Sequence, residues 1–347
     1  MQTIKTALCS FGMSGVVFHA PFLHLHKGFE LYGVWERSKK IAAQKYPGIR
    51  SFDSYEALLN DAAIDLVIVN TPNYTHFDFA KQALLAGKNV IVEKPFCLTV
   101  KQCDELIVLA KEKNKLLSVY QNRRYDSDFK IIKKVVTENL LGDIVEAEFH
   151  FDRFKEELSP KIHKETPGPG TGLLYDLGSH LIDQALCLFG MPQSIFADIG
   201  IARKISLVDD YMELLLFYPS LRVRIKASYV VREPLPSYIL HGIKGSFIKP
   251  RTDVQETALQ AGITPDANDW GKEPENEKGL LHTQINGKVI REYLPSANGN
   301  YMDYYEGIYQ SLTNGTALPV SAIEGKNVIE IIEKAYQSNQ EKRVVLM

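Results

Sequence analysis

Cysteine is scarce: Cys9, Cys97, Cys103 and Cys187 are the four in a chain of 347 residues. They form no CxxC pair and are scattered through apolar segments. That excludes a disulfide-stapled scaffold and predicts buried free thiols in a reducing cytoplasm. Long apolar runs are also missing. No stretch approaches the ~20 residues that a membrane span needs, and no secretory-leader pattern is present, so a cytoplasmic protein without a membrane partner is expected. Charge of one sign is lacking too. The 40 Lys and Arg stand against 42 Asp and Glu, for a net charge of −2, which argues against nucleic acid as a partner. Internal repeats and low-complexity segments are absent, which excludes solenoid architectures.

What is there is the composition of a globular protein, 45% hydrophobic and 24% charged. The length exceeds that of one ordinary core and predicts two domains. The chain is organised around Val90-Ile91-Val92-Glu93-Lys94-Pro95, a β-branched run ending on an acid, a base and a proline. Ligands of open parallel sheets bind outside the carboxyl ends of the strands, so this strand would offer an ammonium group there.

The segments before and after follow an alternating pattern. Ile4 to Cys9 reads as a strand, and Ser10-Phe11-Gly12-Met13-Ser14-Gly15 turns out of it into a helix. This is a dinucleotide-binding turn with serine in place of its first glycine. Gly12 would let the backbone approach a pyrophosphate, and Gly15 would let the helix pack close to the sheet. Phe29 to Val34 is a second strand, followed by Trp35-Glu36-Arg37-Ser38. From Gly15 to Glu36 is 36 − 15 = 21 residues, close to the roughly 20 expected for an acid on the adenosine ribose. Glu36 leans the reading to NAD, while Arg37 and Ser38 are residue types that hold the 2′-phosphate of NADP. Strands at Leu66–Val69, at 90–92 and at Leu116–Tyr120 follow, with helices over 54–60, 76–86 and 100–113. The strand ends carry Asn70-Thr71-Pro72-Asn73, Glu93-Lys94 and Gln121-Asn122-Arg123-Arg124. Five strands separated by helices predict a doubly wound parallel sheet, a Rossmann domain over residues 1–122.

Residues 123–347 read as an α+β domain with a large open, mostly antiparallel sheet, for substrate binding and oligomerisation. Hairpins are expected at Gly242-Ile243-Lys244-Gly245 and at Asn286-Gly287. Glu146, Glu148 and His150 lie on one strand phase and read as a solvated face, with no metal expected. Phe151 to Pro169 is a long basic loop able to cover a substrate. After Gly170-Thr171-Gly172 a helix is predicted over Leu174 to Phe189, placing Asp176 and His180 on one face. There the Asp176 carboxylate could orient the imidazole, with Asp183, three residues beyond it, as a competing partner. Arg251 to Gly279 is a polar excursion, and helices are expected over 302–313 and 324–337.

With these motifs in place, the chain resembles the oxidoreductase family that includes glucose-fructose oxidoreductase and the inositol dehydrogenases. The resemblance rests on Gly12-Met13-Ser14-Gly15 with Val17-Phe18-His19-Ala20-Pro21, on Glu93-Lys94-Pro95, and on Tyr175-Asp176-Leu177-Gly178-Ser179-His180. Residues 118–125, Ile239-Leu240-His241-Gly242 and 245–249 are similar to the branch with NADP-dependent scyllo-inositol dehydrogenase. Ser10 and Glu36 depart from the pattern of that branch.

The resemblance implies NAD(P)-dependent hydride transfer on a polyol or sugar, in a homodimer or homotetramer formed through the open sheet. It implies catalysis by Lys94, Asp176 and His180. Lys94 and His180 are both candidates for the proton acceptor, and the family's division gives that role to His180, with Lys94 on the oxygen. It further implies a cofactor edge of Gly12, Met13, Ser14, Gly15, Asn70, Thr71, Pro72, Asn73, His76, Glu93 and Asn122. Arg124, Phe154 and Tyr175 would face the sugar. The alternatives are an aldose dehydrogenase, a small-carbonyl reductase, or a non-catalytic NAD(P)-binding sensor of the same fold.

Overall fold

The computed structural model describes residues 3–36 and 40–347, leaving aside the side chain of His163. The chain forms two compact units. The first comprises Met1–Tyr125, Gln255–Trp270 and Asn300–Lys326, and the second Asp126–Val254, Gly271–Gly299 and Asn327–Met347.

The first unit holds a six-stranded parallel sheet of β1 (Ile4–Leu8), β2 (Phe29–Trp35), β3 (Arg50–Phe52), β4 (Leu66–Val69), β5 (Asn89–Glu93) and β6 (Leu117–Tyr120). Their order is β3-β2-β1-β4-β5-β6, the doubly wound arrangement that binds dinucleotides where the order reverses, between β1 and β4. Every residue of β4 and β6 is buried, as expected of strands covered on both faces. The sequence predicts five strands. It misses β3, whose three residues carry no apolar run and are buried only at Phe52.

β6 would be an open edge, but later segments of the same unit return to it. Ser118 bridges to Ser321, and a Cβ on Gly325 would collide with Val119 on this strand. The Ser118 hydroxyl donates to the Val320 carbonyl (2.6 Å) and accepts from the Tyr304 hydroxyl (2.8 Å), all fully buried. Covering an edge in this way removes a row of unpaired backbone groups from solvent.

The second unit is a nine-stranded mixed sheet. It contains β7 (Ile144–His150), β8 (Ser194–Gly200), β9 (Tyr211–Phe217), β10 (Arg222–Ser228), β11 (Tyr238–Gly242), β12 (Gly245–Lys249), β13 (Gly279–Ile285), β14 (Lys288–Leu294) and β15 (Val345–Leu346). The order is β14-β13-β12-β11-β7-β10-β9-β8-β15, antiparallel except for β7 beside β10. Both expected hairpins form. Asn286 and Gly287 take φ +50° and +79°, the left-handed pair that a two-residue turn of matching twist requires.

Strand alternation buries Met212, Leu214, Leu216, Val223, Ile225 and Phe149 on one face. The helix Ser179–Phe189 contributes Leu181, Ile182 and Ala185 to the core and packs against β7 and β10. The other face is mixed rather than apolar. Arg224 spans Glu148 (2.7 Å) and Glu213 (3.1 Å), and Glu148 also pairs with His150.

Replacing Ser118 with alanine leaves the Tyr304 hydroxyl and the Val320 carbonyl buried without their shared partner. The variant should lose about 1–3 kcal/mol of stability, read as a lower midpoint in urea unfolding.

Candidate active site

The carboxyl ends of β1 and β4 are tied together by one residue pair. The Ser10 amide donates to Asn70 Oδ1 (2.9 Å), Ser10 Oγ to the Asn70 carbonyl (3.0 Å), and Asn70 Nδ2 to the Ser10 carbonyl (2.9 Å). Serine in the first glycine position is therefore part of a lock, with a hydroxyl that glycine would lack. A Cβ on Gly15 would lie 2.6 Å from the Ser10 carbonyl oxygen and 3.1 Å from Asn70 Nδ2, whereas one on Gly12 meets nothing closer than 4.0 Å. Gly15 is thus the close-packing glycine and Gly12 leaves the backbone open. Ser14 Oγ is buried with no hydrogen-bond partner among the described residues. An unsatisfied hydroxyl in a glycine turn suits a phosphate oxygen, so this turn fits a dinucleotide. Met13 beside it is 44% exposed.

Gly15–His19 opens the following helix as a π turn, continued by the α-helix Ala20–Leu25. Such wide turns often mark functional positions. Tyr120 and Tyr305, both buried, each donate to the Phe18 carbonyl within it at 3.0 Å.

Glu36 is buried, and its carboxylate accepts the Ile41 (2.9 Å) and Ala42 (3.2 Å) amides at the start of the short helix Ala42–Lys45. Its spacing from Gly15 suggests a ribose ligand, yet in the fold it caps a helix. Arg37 and Ser38 lie outside the described residues.

At the end of β5, Glu93 accepts from His19 Nε2 (3.0 Å) through one oxygen and from the Lys94 amide (3.1 Å) through the other. His19 is fully buried, and its Nδ1 lies 2.7 Å from the Tyr305 hydroxyl. Burial raises the Glu93 pKa, but the His19 hydrogen bond and the charges of His19, Lys94 and His76 outweigh it and hold the carboxyl below the ordinary range. The carboxylate stays ionised beside the ammonium of Lys94. The Lys94–Pro95 bond is cis.

His76 lies within the edge itself. It is 1% exposed, and its two nitrogens face the carbonyls of Pro95 (2.8 Å) and Thr71 (2.9 Å). It thereby lies between the loops after β4 and β5, and as a neutral imidazole it donates to one of these two carbonyls. Burial lowers its pKa, against the pull of those carbonyls. Thr71 pairs with Thr75, and Pro72 precedes a short 3₁₀ turn, Asn73–Thr75. Asn122 is buried after β6, beside Gln121, whose Oε1 lacks a partner among the described residues. Arg124 is engaged by Glu324 (2.6 Å). The sequence reading did not assign site roles to His19 and Tyr305; the only available signal was His19 inside the family motif.

In the second unit, the predicted helix begins as a π turn, Leu174–Gly178, before the α-helix Ser179–Phe189. Asp176 lies in the π turn and His180, 6% exposed, in the first turn of the α-helix. Four residues apart, the two remain on one side of the helix across the π turn, as the sequence spacing implies. Asp209 anchors the start: its carbonyl accepts the Leu173 amide (2.8 Å) and its carboxylate the Leu174 amide (2.9 Å). Gly172, at φ +97°, is where a Cβ would collide with that carboxylate. Burial pushes the Asp209 carboxyl above its ordinary range, against these hydrogen bonds. Tyr175 stacks on Tyr336 and, with Thr171, Leu207 and Asp209, lines a cavity of about 470 Å³. Phe154 is 39% exposed with the Arg232 guanidinium 3.9 Å over its ring. Asp176 itself is held by Lys164, whose ammonium lies 2.9 and 2.8 Å from its two oxygens. Among the described residues no group of three or more side chains could hold a metal ion, and no helix is long and apolar enough to cross a membrane.

Residues 4–121 match the NAD-binding Rossmann-fold model of the Gfo/Idh/MocA oxidoreductases, and residues 133–347 match the model of their C-terminal alpha/beta domain. The chain belongs to the Gfo/Idh/MocA family. It is 39% identical to scyllo-inositol 2-dehydrogenase (NADP(+)) of Bacillus subtilis, over 100% of this chain and 97% of that one. A solved structure from Bacteroides fragilis is 48% identical, with a TM-score of 0.92 and full coverage of both chains. The structure of an oxidoreductase from Bacillus cereus is 33% identical, with a TM-score of 0.91 and 99% coverage of both. As a Gfo/Idh/MocA member, the chain is an oxidoreductase with an NAD(P)-binding domain.

Gly15→Ala would drive a methyl group into the Ser10 carbonyl and push the turn away from the sheet. Affinity for NADH or NADPH, followed by fluorescence titration, should fall by about tenfold or more, equivalent to roughly 1.4 kcal/mol.

Proposed function

We propose that the chain catalyses reversible hydride transfer between a nicotinamide dinucleotide and a secondary alcohol carbon of a polyol or sugar with an inositol-like array of hydroxyls. The observation that carries this reading is Lys94 at the carboxyl end of β5, next to a Glu93 that His19 keeps ionised. An ammonium aimed from a strand end of this sheet type stands where ligands bind.

Gly12, Met13, Ser14 and Gly15 would hold the diphosphate, with Asn70, Thr71, Pro72, Asn73 and Asn122 along the edge. Glu93 would meet the nicotinamide ribose, and His76 keeps the edge loops in place. The bound nicotinamide supplies the hydride acceptor or donor. His180 takes the hydroxyl proton in the oxidative direction, and Asp176 orients its imidazole. Lys94 donates a hydrogen bond to the same oxygen and stabilises the developing alkoxide, an electrostatic effect that grows as water is excluded. Tyr175 would present its ring to the sugar. Phe154 and Arg124 are assigned the same role; each, like Tyr175 on Tyr336, has a partner within its own unit.

The cofactor is assigned as NADP. Each Glu36 oxygen accepts one backbone amide, which gives the carboxylate a structural role and leaves one acceptor site per oxygen. The B. subtilis relative is named as an NADP(+) enzyme. Assembly into a homodimer or homotetramer through the open sheet is part of the same proposal. Phe196, Val289 and Tyr293 stand exposed on strands of that sheet.

Lys94→Ala should lower kcat with scyllo-inosose and NADPH by about 100- to 1,000-fold, with NADPH binding nearly unchanged in a fluorescence titration. Weakened binding with normal turnover at saturation would contradict the assigned role. No consumption of NADPH or NADH across polyols, inososes, aldoses and small aldehydes would point instead to a non-catalytic sensor.

Glu36→Ala should remove two amide caps and lower the thermal midpoint, while the ratio of kcat/KM for NADP to that for NAD changes by less than about threefold. A swing of tenfold or more toward NADP, about 1.4 kcal/mol in differential binding, would return Glu36 to the ribose.

A further inference from the structure

Backbone hydrogen bonds from Arg153 and Lys155 to the Ser228 and Tyr229 carbonyls tie down the start of the basic loop between Phe151 and Pro169, and a buried guanidinium fixes the stretch beyond. Arg203 Nε pairs with Asp210 (2.8 Å), Nη1 donates to the Glu157 carbonyl (2.8 Å), and Nη2 pairs with Glu165 (3.3 Å). The guanidinium also lies 5.1 Å over the Tyr229 ring. Glu165 further accepts the Ser159 amide (2.7 Å), so the short helix Ile162–Glu165 is pinned through its last residue. Lys164 precedes that pinned residue, and its ammonium reaches both oxygens of Asp176. The side chains of Lys164 and Asp176 are 40% and 28% exposed, a half-screened setting in which the ion pair still acts on its neighbours.

We propose that Lys164 is a positioning residue: delivered by the Arg203-anchored loop, it holds the Asp176 carboxylate and limits how strongly that carboxylate draws a proton onto His180. The proposal rests on the assignment of Asp176 and His180 above. A carboxylate facing only an imidazole stabilises the imidazolium and raises its pKa. An ammonium on the same carboxylate offsets this, so the imidazole remains an unprotonated base at lower pH. Around Asp176 the other charged or titratable groups are Lys155 and Arg153 from the start of the loop, Tyr229 after β10, and Glu165 and Arg203; on the helix of His180 itself, the buried Asp183 follows three residues on. Lys155 has its pKa lowered by burial and by Arg153 and Lys164. Arg203 and Glu165 pair with each other; Lys155 feels the Asp176 charge, and Lys164 brings its ammonium within hydrogen-bond distance of both Asp176 oxygens.

The test compares Lys164→Met and Lys164→Arg with the wild-type chain, alone and combined with Asp176→Asn. The His180 imidazole is titrated by NMR on histidine-labelled protein, its signal assigned by its loss in His180→Asn. That readout needs no turnover. In Lys164→Met the imidazole midpoint should rise by about one unit, and the acid limb of the kcat/KM profile should move up with it. Arginine at 164 should restore both, and Lys164→Met should shift nothing further when Asp176 is already Asn.

An unchanged imidazole midpoint in Lys164→Met overturns the proposal, as does a shift that persists in the Asp176→Asn background. Should the chain prove catalytically silent while the midpoint moves as stated, the coupling stands and the dehydrogenase reading falls. Should turnover depend on His180 while Lys164→Met leaves midpoint and acid limb untouched, the reading stands and the coupling falls. Lys164→Arg, which keeps the charge, separates both outcomes from a folding defect.

Discussion

Three hydrogen bonds between Ser10 and Asn70 close the place where the parallel sheet reverses its strand order. At that place the ends of β1 and β4 splay, because their connections leave on opposite faces. Without a tie, polar backbone at both ends would face each other unpaired. The tie sets the height of the glycine turn, which is why Gly15 has no room for a Cβ and why Gly12 remains open. The helix behind the turn starts as a π turn, and its Phe18 carbonyl accepts two buried tyrosine hydroxyls.

The same tyrosines connect the turn to the end of β5. Tyr305 contacts His19, His19 donates to Glu93, and Glu93 accepts the amide of Lys94. A buried carboxylate would ordinarily take up a proton; this one is held ionised by the histidine and the neighbouring cations. Lys94 therefore sits on a relay of buried polar groups whose members come from distant parts of one unit. In the second unit Asp209 fixes the start of the π turn that carries Asp176, and Lys164 fixes its carboxylate.

Much of this was legible in the residues themselves. Val90–Val92 could only be a buried strand, Gly87 at φ +73° ends a helix as its composition suggests, and Asn286-Gly287 turns a hairpin. These signals are local, and the chemistry of a few neighbours decides each one. Elements with weak local signals were missed. β3 is three residues long, and the helix Val254–Gln260 lies inside a polar excursion that returns to the first unit. Glu36 shows what spacing leaves out, because the count from Gly15 says nothing about the two amides of the next helix that its carboxylate also accepts.

By itself, then, the sequence determined the two kinds of sheet, the positions of the glycine turn and of the Glu93-Lys94 and Asp176–His180 motifs, and through them the family. Those features depend on periodicity and on residue types a few positions apart. Tertiary structure alone decided which groups each charged side chain meets: Glu36 on a helix start, His76 on two carbonyls, His19 on Glu93 and Lys164 on Asp176. Hydrogen bonds and ion pairs act over about 3 Å, and only the folded chain sets which groups come that close.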